Sequence, residues 1–561
     1  MEPDTRHEAF RVGAWEVDPV SGLMTQGSRS VRLEPRVMAM LVYLAQRPHR
    51  VIPRQELEQA VWHGRTVSYD ALTTAMLKLR RALDDDAREP QYIETVSKRG
   101  YRLLAPVSPS EKAGERKPET AFTPVEAPAQ GVIFLVIRIS AGVLILGALL
   151  ILGLVLWIRW QAPVPPAETA PFSIAVLPFD NLSEARTEDY FADGMTDDLI
   201  TDLAKNPRLF VIARDSVFLY KDRVLDPQAV ARRLHVRYLL KGSVRRTADR
   251  VRINVQLIDA ASATHLWAEH YEGNSDDLFA LQDAIGRKIL AALKIELEGD
   301  VDRQRRSTDP RAYDYFLDGR NRFFSYASKE ENLKARDLYL QAIKLDPEFA
   351  MAYAMLAWTH TFEAMNGWSS DREASLGKGL TLAQRSLALD DEQSVAYFVT
   401  GLVYRERGNY QRAREEAEKA LALEPSYANA HVLLATLLYY TGQPEAGLAM
   451  IKRAIRLNPH HPYNYPFHLG QAYFILGDYR AAIDAFASGL ESNPSSERLH
   501  VWLAAAYARA GELENARWEA EQVMAYNPEF SLGRISEAFP FQDEADLQLF
   551  VEALRLAGLS R

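Results

Sequence analysis

Residues 68–83, SYDALTTAMLKLRRAL, and residues 92–104, YIETVSKRGYRLL, decide how the amino-terminal part of the chain folds. In the first stretch Leu72, Met76, Leu79 and Leu83 return at helical period and form one narrow apolar stripe, the face turned to a core. Thr74, Lys78 and Arg81 fall on the opposite face, with Thr73 and Arg80 at its edge. Hydroxyls and long cations on one helix face suit a major groove, where Arg and Lys reach guanine edges or grip phosphates. The second stretch reads as two short strands, Tyr92–Val96 and Tyr101–Leu104, joined by the basic turn Ser97-Lys98-Arg99-Gly100. Glycine at the end of that turn permits a positive φ.

Upstream, residues 10–17 and 30–33 read as strands, and Arg36–Ala45 and Arg54–Trp62 as helices. The order Leu79-Arg80-Arg81-Ala82-Leu83, then Tyr92-Ile93-Glu94-Thr95-Val96, then Arg99-Gly100-Tyr101-Arg102-Leu103, resembles the OmpR/PhoB-type winged helix. The resemblance covers residues 10–104, within a domain placed at 8–104. It implies double-stranded DNA as the partner. Thr73, Thr74, Lys78, Arg80 and Arg81 would face the major groove, with Lys98 and Arg99 on the wing. Contact with RNA polymerase belongs to the same expectation. Only nine residues precede the first strand, so no phosphorylatable receiver domain fits before it.

From Ile139 to Ile158 twenty residues run without a charge, about 30 Å of helix and the thickness of a bilayer core. Arg138 and Arg159 bracket the run, and Trp157 and Trp160 sit at interfacial positions. A single transmembrane helix is therefore expected within 132–158, after a flexible linker at 105–131 that holds five prolines. Lys112, Arg116, Lys117 and Arg138 precede the run, which predicts a cytoplasmic amino-terminal part and a periplasmic carboxy-terminal part in the inner membrane. A winged helix joined directly to such a span resembles the CadC/ToxR-type regulators.

Residues 171–300 alternate strands, at 173–179, 209–213, 238–244, 251–258 and 264–271, with helices at 190–204, 228–234 and 276–297. The wording AVLPFDNLS, YFADGMTDDLITDLA, YLLKGSVRR and RVRINVQLIDA resembles a TolB-like α/β module. Beyond it, at 309–535, Pro425, Pro459, Pro494 and Pro528 recur at intervals of 34, 35 and 34 residues, the tetratricopeptide period. Small and aromatic residues recur with them, as in Gly401, Tyr404 and Ala413, or Gly470, Tyr473 and Ala482. About six repeats follow, an all-α solenoid whose concave face suits a protein or peptide partner. One repeat, ending near Asp390, is degenerate and carries an insertion around 367–379.

The charge is uneven: residues 1–104 sum to +2, and residues 171–561 to −11, within a net charge of −9. Cysteine is absent, which excludes disulfides, thiolate metal sites and a cysteine nucleophile. No P-loop, nucleophile elbow or dinucleotide fingerprint occurs, so neither an enzyme nor a cofactor or metal is expected. His265, Glu269 and His270 alternate across a strand and lack metal-ligand spacing. His460, His461 and His468 fall in an inter-repeat turn and read as a solvated loop. Asp197-Asp198 and Asp276-Asp277 read as helix amino-terminal caps.

The fold expected is an α+β winged helix, a single transmembrane helix, an α/β TolB-like domain and an all-α tetratricopeptide solenoid. The function expected is a membrane-anchored one-component transcriptional regulator, working as a homodimer, that senses a signal or partner through its outer region. An envelope scaffold assembling proteins on its repeats is the alternative.

Overall fold

A computed structural model describes residues 9–19, 21–27, 29–33, 35–53, 56–57, 60–61, 71–85, 90–96, 100–109, 172–183, 189–223, 226–247, 250–274, 278–295, 309–325, 328–539 and 541–559. The chain divides into two compact units, residues 1–33 with 105–169, and residues 34–104 with 170–561.

The first unit holds β1 (Phe10–Val12), β2 (Trp15–Asp18), β3 (Leu23–Gln26) and β4 (Arg29–Arg32), with β7 (Val107–Pro109) returning beside β1. The sheet order is β4-β3-β2-β1-β7. Gly13 and Gly27, both at positive φ, turn the chain between β1 and β2 and between β3 and β4. Trp15 and Val17 are buried while Glu16 and Asp18 are not, the period of two that a one-sided sheet imposes. Because β7 pairs with β1, the first residues expected in the linker belong to a sheet.

In the second unit come α1 (Pro35–Ala45), α2 (Ala71–Leu83), and the hairpin of β5 (Ile93–Val96) and β6 (Gly100–Leu103). The α/β module follows. It contains β8 (Ser173–Val176), β9 (Asp180–Asn181), α3 (Asp189–Ala204), β10 (Phe210–Val211), α4 (Arg214–Phe218) and α5 (Pro227–Leu234). Then β11 (Tyr238–Thr247), β12 (Arg250–Asp259) and β13 (Thr264–Asn274) form a meander closed by α6 (Leu278–Ala292). The sheet runs β10-β8-β11-β12-β13, parallel through β10, β8 and β11 and antiparallel beyond.

The repeats are six antiparallel helix pairs among the described residues: α7 (Pro310–Ser325) with α8 (Lys329–Leu345), α9 (Ala350–Met365) with α10 (Arg372–Leu389), α11 (Ser394–Glu406) with α12 (Tyr410–Leu423), α13 (Ala428–Tyr440) with α14 (Pro444–Leu457), α15 (Asn464–Ile475) with α16 (Tyr479–Ser492), and α17 (Glu497–Arg509) with α18 (Leu513–Tyr526). Gly408, Gly442, Gly477 and Gly511 stand at φ +75° to +81° in the turn inside four successive pairs, the left-handed residue that ends a helix tightly. A Cβ at Gly470 would collide with the Phe486 ring, which explains the small residue where two helices cross. The repeat ending at Asp390 is a regular pair with a longer turn. After α18 come α19 (Ile535–Ala538) and α20 (Glu544–Leu556).

The apolar run Ile139–Ile158 lies outside the described residues. Among the described residues no helix is long and apolar enough to cross a membrane. The expected fold class is corrected accordingly: winged-helix elements and an all-helical repeat region stand, and the single transmembrane helix does not. The single-pass inner-membrane placement with a periplasmic carboxy-terminal region falls with it.

Candidate nucleic-acid interface

Helix α2 buries Leu72, Met76, Leu79 and Leu83, the stripe its period demands, together with Ala75 and Ala82. Lys78 is half-buried. Arg80 is only 7 % exposed. Its Nη2 donates to the Ile93 carbonyl at 2.9 Å and to Thr95 Oγ1 at 2.8 Å. Its Nε lies 3.9 Å from the Asp85 carboxylate. Asp85 in turn accepts the backbone N–H groups of Gln91, Tyr92 and Ile93 at 2.7, 2.8 and 3.0 Å. Arg80 therefore leaves the groove-facing set. It ties the end of α2 to the β5–β6 hairpin, and so fixes helix and wing as one body. Asp84, at φ +60°, ends α2 and swings Asp85 back under it.

The hairpin is anchored at its base. Gly100 stands at φ +134°, and a Cβ there would collide with the Ile52 carbonyl. Ile52 and Tyr101 exchange backbone hydrogen bonds at 2.8 and 3.0 Å, making Ile52 a third rung beside β6. Arg102 Nε donates to Glu94 at 2.7 Å across the strands. Of the other residues expected at the duplex, Thr73, Thr74 and Arg81 belong to α2 but their side chains lie outside what is described. Lys98 and Arg99 lie outside the described residues altogether.

A second polar centre went unread in the sequence. Asp197 and Asp198 are not caps, because α3 begins at Asp189 and carries them in its middle. Arg320 of α7 pairs with Asp197 at 3.1 Å and Asp198 at 2.8 Å, and donates to the Gly194 carbonyl at 2.8 Å. Arg214 reaches Asp197 at 3.4 Å, and Tyr313 hydroxyl and Gln282 Nε2 also donate to Asp198. Burial opposes the charge on Arg320, but the two carboxylates outweigh it and hold its pKa above the ordinary value. Nearby, Lys221 donates to Asp193 at 2.6 and 2.7 Å, while burial pushes the Asp193 carboxyl up. This cluster locks the α/β module to the first repeat.

The three histidines do separate work rather than forming a solvated loop. His460 Nε2 meets the Tyr220 hydroxyl at 3.0 Å, and the His460 backbone N–H donates to Ser216 Oγ at 2.8 Å. His461 stacks on Tyr465 with ring centroids 5.2 Å apart. His468 is bonded to Tyr439 and Gln471 inside the array, and burial drives its pKa down to about 3.

Residues 28–103 match the family described as "Transcriptional regulatory protein, C terminal". Residues 170–288 match the second domain of HilA/YgeH-like transcriptional regulators, which replaces the TolB-like reading of the α/β module. Residues 404–463 and 467–531 match tetratricopeptide repeat families. Over 262 residues the chain is 39 % identical to a Rhizobium meliloti protein named putative adenylate cyclase 3, covering 46 % of this chain and 44 % of that one. Over 107 residues it is 41 % identical to the transcriptional activator CadC of Escherichia coli, covering 19 % and 21 %. The solved DNA-binding domain of E. coli CadC is 37 % identical, covering 19 % of this chain and all of that one, with a TM-score of 0.18. The chain thus spans less than half the length of these two curated relatives.

Proposed function

We propose that a chain built from a CadC-like DNA-binding domain, a HilA/YgeH-like second domain and tetratricopeptide repeats regulates transcription by binding double-stranded DNA. The observation that carries the reading is the buried Arg80–Asp85 clamp, whose two members also bond the β5–β6 hairpin, Arg80 at 2.9 Å to the Ile93 carbonyl and Asp85 at 3.0 Å to the Ile93 N–H, and which presents helix and wing together. The match of residues 28–103 to a transcriptional regulatory domain supports it. In this reading Thr73, Thr74, Lys78 and Arg81 meet the major groove, and Lys98 and Arg99 grip phosphates from the wing. Two chains pair on the operator, and contact with RNA polymerase follows from that placement. The repeats receive a protein partner that sets regulatory output; no enzymatic step is assigned.

The test is DNA affinity measured across a salt series. Each phosphate contact releases counterions, so log affinity falls linearly with log salt. Replacing both Lys98 and Arg99 by Ala flattens that slope by about two contacts' worth. An unchanged slope counts against the wing assignment.

A further inference from the structure

The face expected for a partner is already occupied in part. Its carboxy-terminal half is filled by the end of this same chain. After α18 the chain turns at Leu532–Arg534 and runs back across the first helices of three successive repeats. Phe541 packs on Tyr440 of α13, with ring centroids 5.3 Å apart. Phe550 packs on Phe474 of α15 at 5.6 Å and on Trp502 of α17 at 4.2 Å. Phe539 packs on Trp502 at 5.4 Å. One main-chain hydrogen bond pins the segment, from the Gln542 N–H to the Tyr440 carbonyl at 3.1 Å.

This is not how the repeats stack on one another. The first helix of a repeat packs on its own second helix and on the second helix before it, as α17 does on α18 and α16, whereas α20 packs mainly across α17 and only lightly on α18. A helix laid by its apolar face into a hydrophobic groove is a common mode of peptide recognition. The apolar stripe of α20 runs Leu547, Phe550, Leu554 and Ala557, at helical spacing. Its amino-terminal end is acidic, with Asp543, Glu544 and Asp546. The groove side supplies the exposed Arg498, whose guanidinium lies 5.2 Å from the Phe467 ring and 5.4 Å from that of Phe539.

We infer that residues 535–559 are a built-in occupant of the repeat groove. The partner this groove fits is an amphipathic helix with an aromatic anchor, and it binds only when the chain's own segment leaves. Tethering gives that segment an effective concentration on the order of millimolar, so an external helix competes at a large disadvantage. The inference rests on the groove alone and not on the reading of DNA binding.

The experiment uses the full chain with a protease site inserted in the turn at 532–534, and a fluorescent synthetic peptide of residues 535–561 as probe. Cleavage lets the bound segment exchange. The labelled peptide then binds saturably, at least tenfold tighter than to the uncut chain, and a Phe550→Ala peptide loses that binding. Three results overturn the inference: no binding after cleavage, equal binding before and after it, or unfolding of the repeats on cleavage, followed by circular dichroism. The last would make α20 an inseparable part of the core. Phe550→Asp in the uncut chain is a second check, expected to let the peptide bind while the repeats keep their helical signal.

Discussion

Arg80 and Asp85 face each other at 3.9 Å beneath the end of α2, and each also holds the hairpin that follows, Arg80 through the Ile93 carbonyl and Asp85 through three backbone N–H groups. Neither partner has water as an alternative, because both side chains are buried. The pair therefore sets the angle between helix and wing from inside the domain.

Breaking the pair is costly. Removing one member of a buried ion pair typically costs about 3–5 kcal/mol, so Arg80→Ala melts the domain early and loses DNA affinity with it. Arg81→Ala leaves the melting temperature unchanged and lowers affinity alone. Thermal melts read beside DNA titrations separate the two; equal melting temperatures for both variants would contradict the assignment.

Gly100→Ala tests the base of the wing. The substitution places a side chain at φ +134° against the Ile52 carbonyl, a strain on the order of 1–3 kcal/mol. Backbone amide exchange at Ile52 and Tyr101 rises, while exchange in α2 changes little. No change at Ile52 would show that the rung bears no load.

Arg320→Met uncouples the α/β module from the repeats. It leaves the buried Asp197 and the half-buried Asp198 beside it without the Arg320 guanidinium they share. In calorimetry the wild type is expected to unfold the two parts together, and the variant to split them into two transitions at least several degrees apart. A single transition at the wild-type temperature would remove the lock from the account.

Several buried groups make stability depend on pH, among them a carboxyl and an imidazole with opposite slopes. Burial raises the Glu424 carboxyl, bonded to Ser394, from 4.5 to about 7. The unfolded chain ionises there while the folded chain stays protonated, so stability falls as pH rises from about 4.5 to 7, by about 3 kcal/mol in all. Glu424→Gln abolishes that loss. Burial lowers His468 from 6.5 to about 3, so its contribution is lost as pH falls below 6.5. Denaturant midpoints between pH 4 and 8, compared between the wild type and Glu424→Gln, separate the two slopes.

The sequence is legible where one period governs a segment. The stripe of α2, the repeat prolines and the strands of the α/β module all stand where apolar spacing and turn residues put them. Arg80 shows the limit. It lies four residues after Met76 and so borders the buried stripe, yet nothing local distinguishes it from Arg81; the partner that draws it inward, Asp85, was readable only as part of an acidic turn. Asp197 and Asp198 precede apolar residues as caps do, but their helix starts eight residues earlier and their partner Arg320 is more than a hundred residues away. The carboxy-terminal segment carries no repeat signature, so its place in the groove emerges only from the packing of Phe541 and Phe550.

Helix α2 and the wing are proposed to read DNA as one body. Genome-wide occupancy of the tagged full-length protein in its host, beside the Lys98→Ala/Arg99→Ala form, tests it most directly. Discrete peaks that vanish in the double variant at equal protein level are expected. Peaks that persist unchanged in the variant, or no peaks with the wild type across several growth conditions, would contradict it.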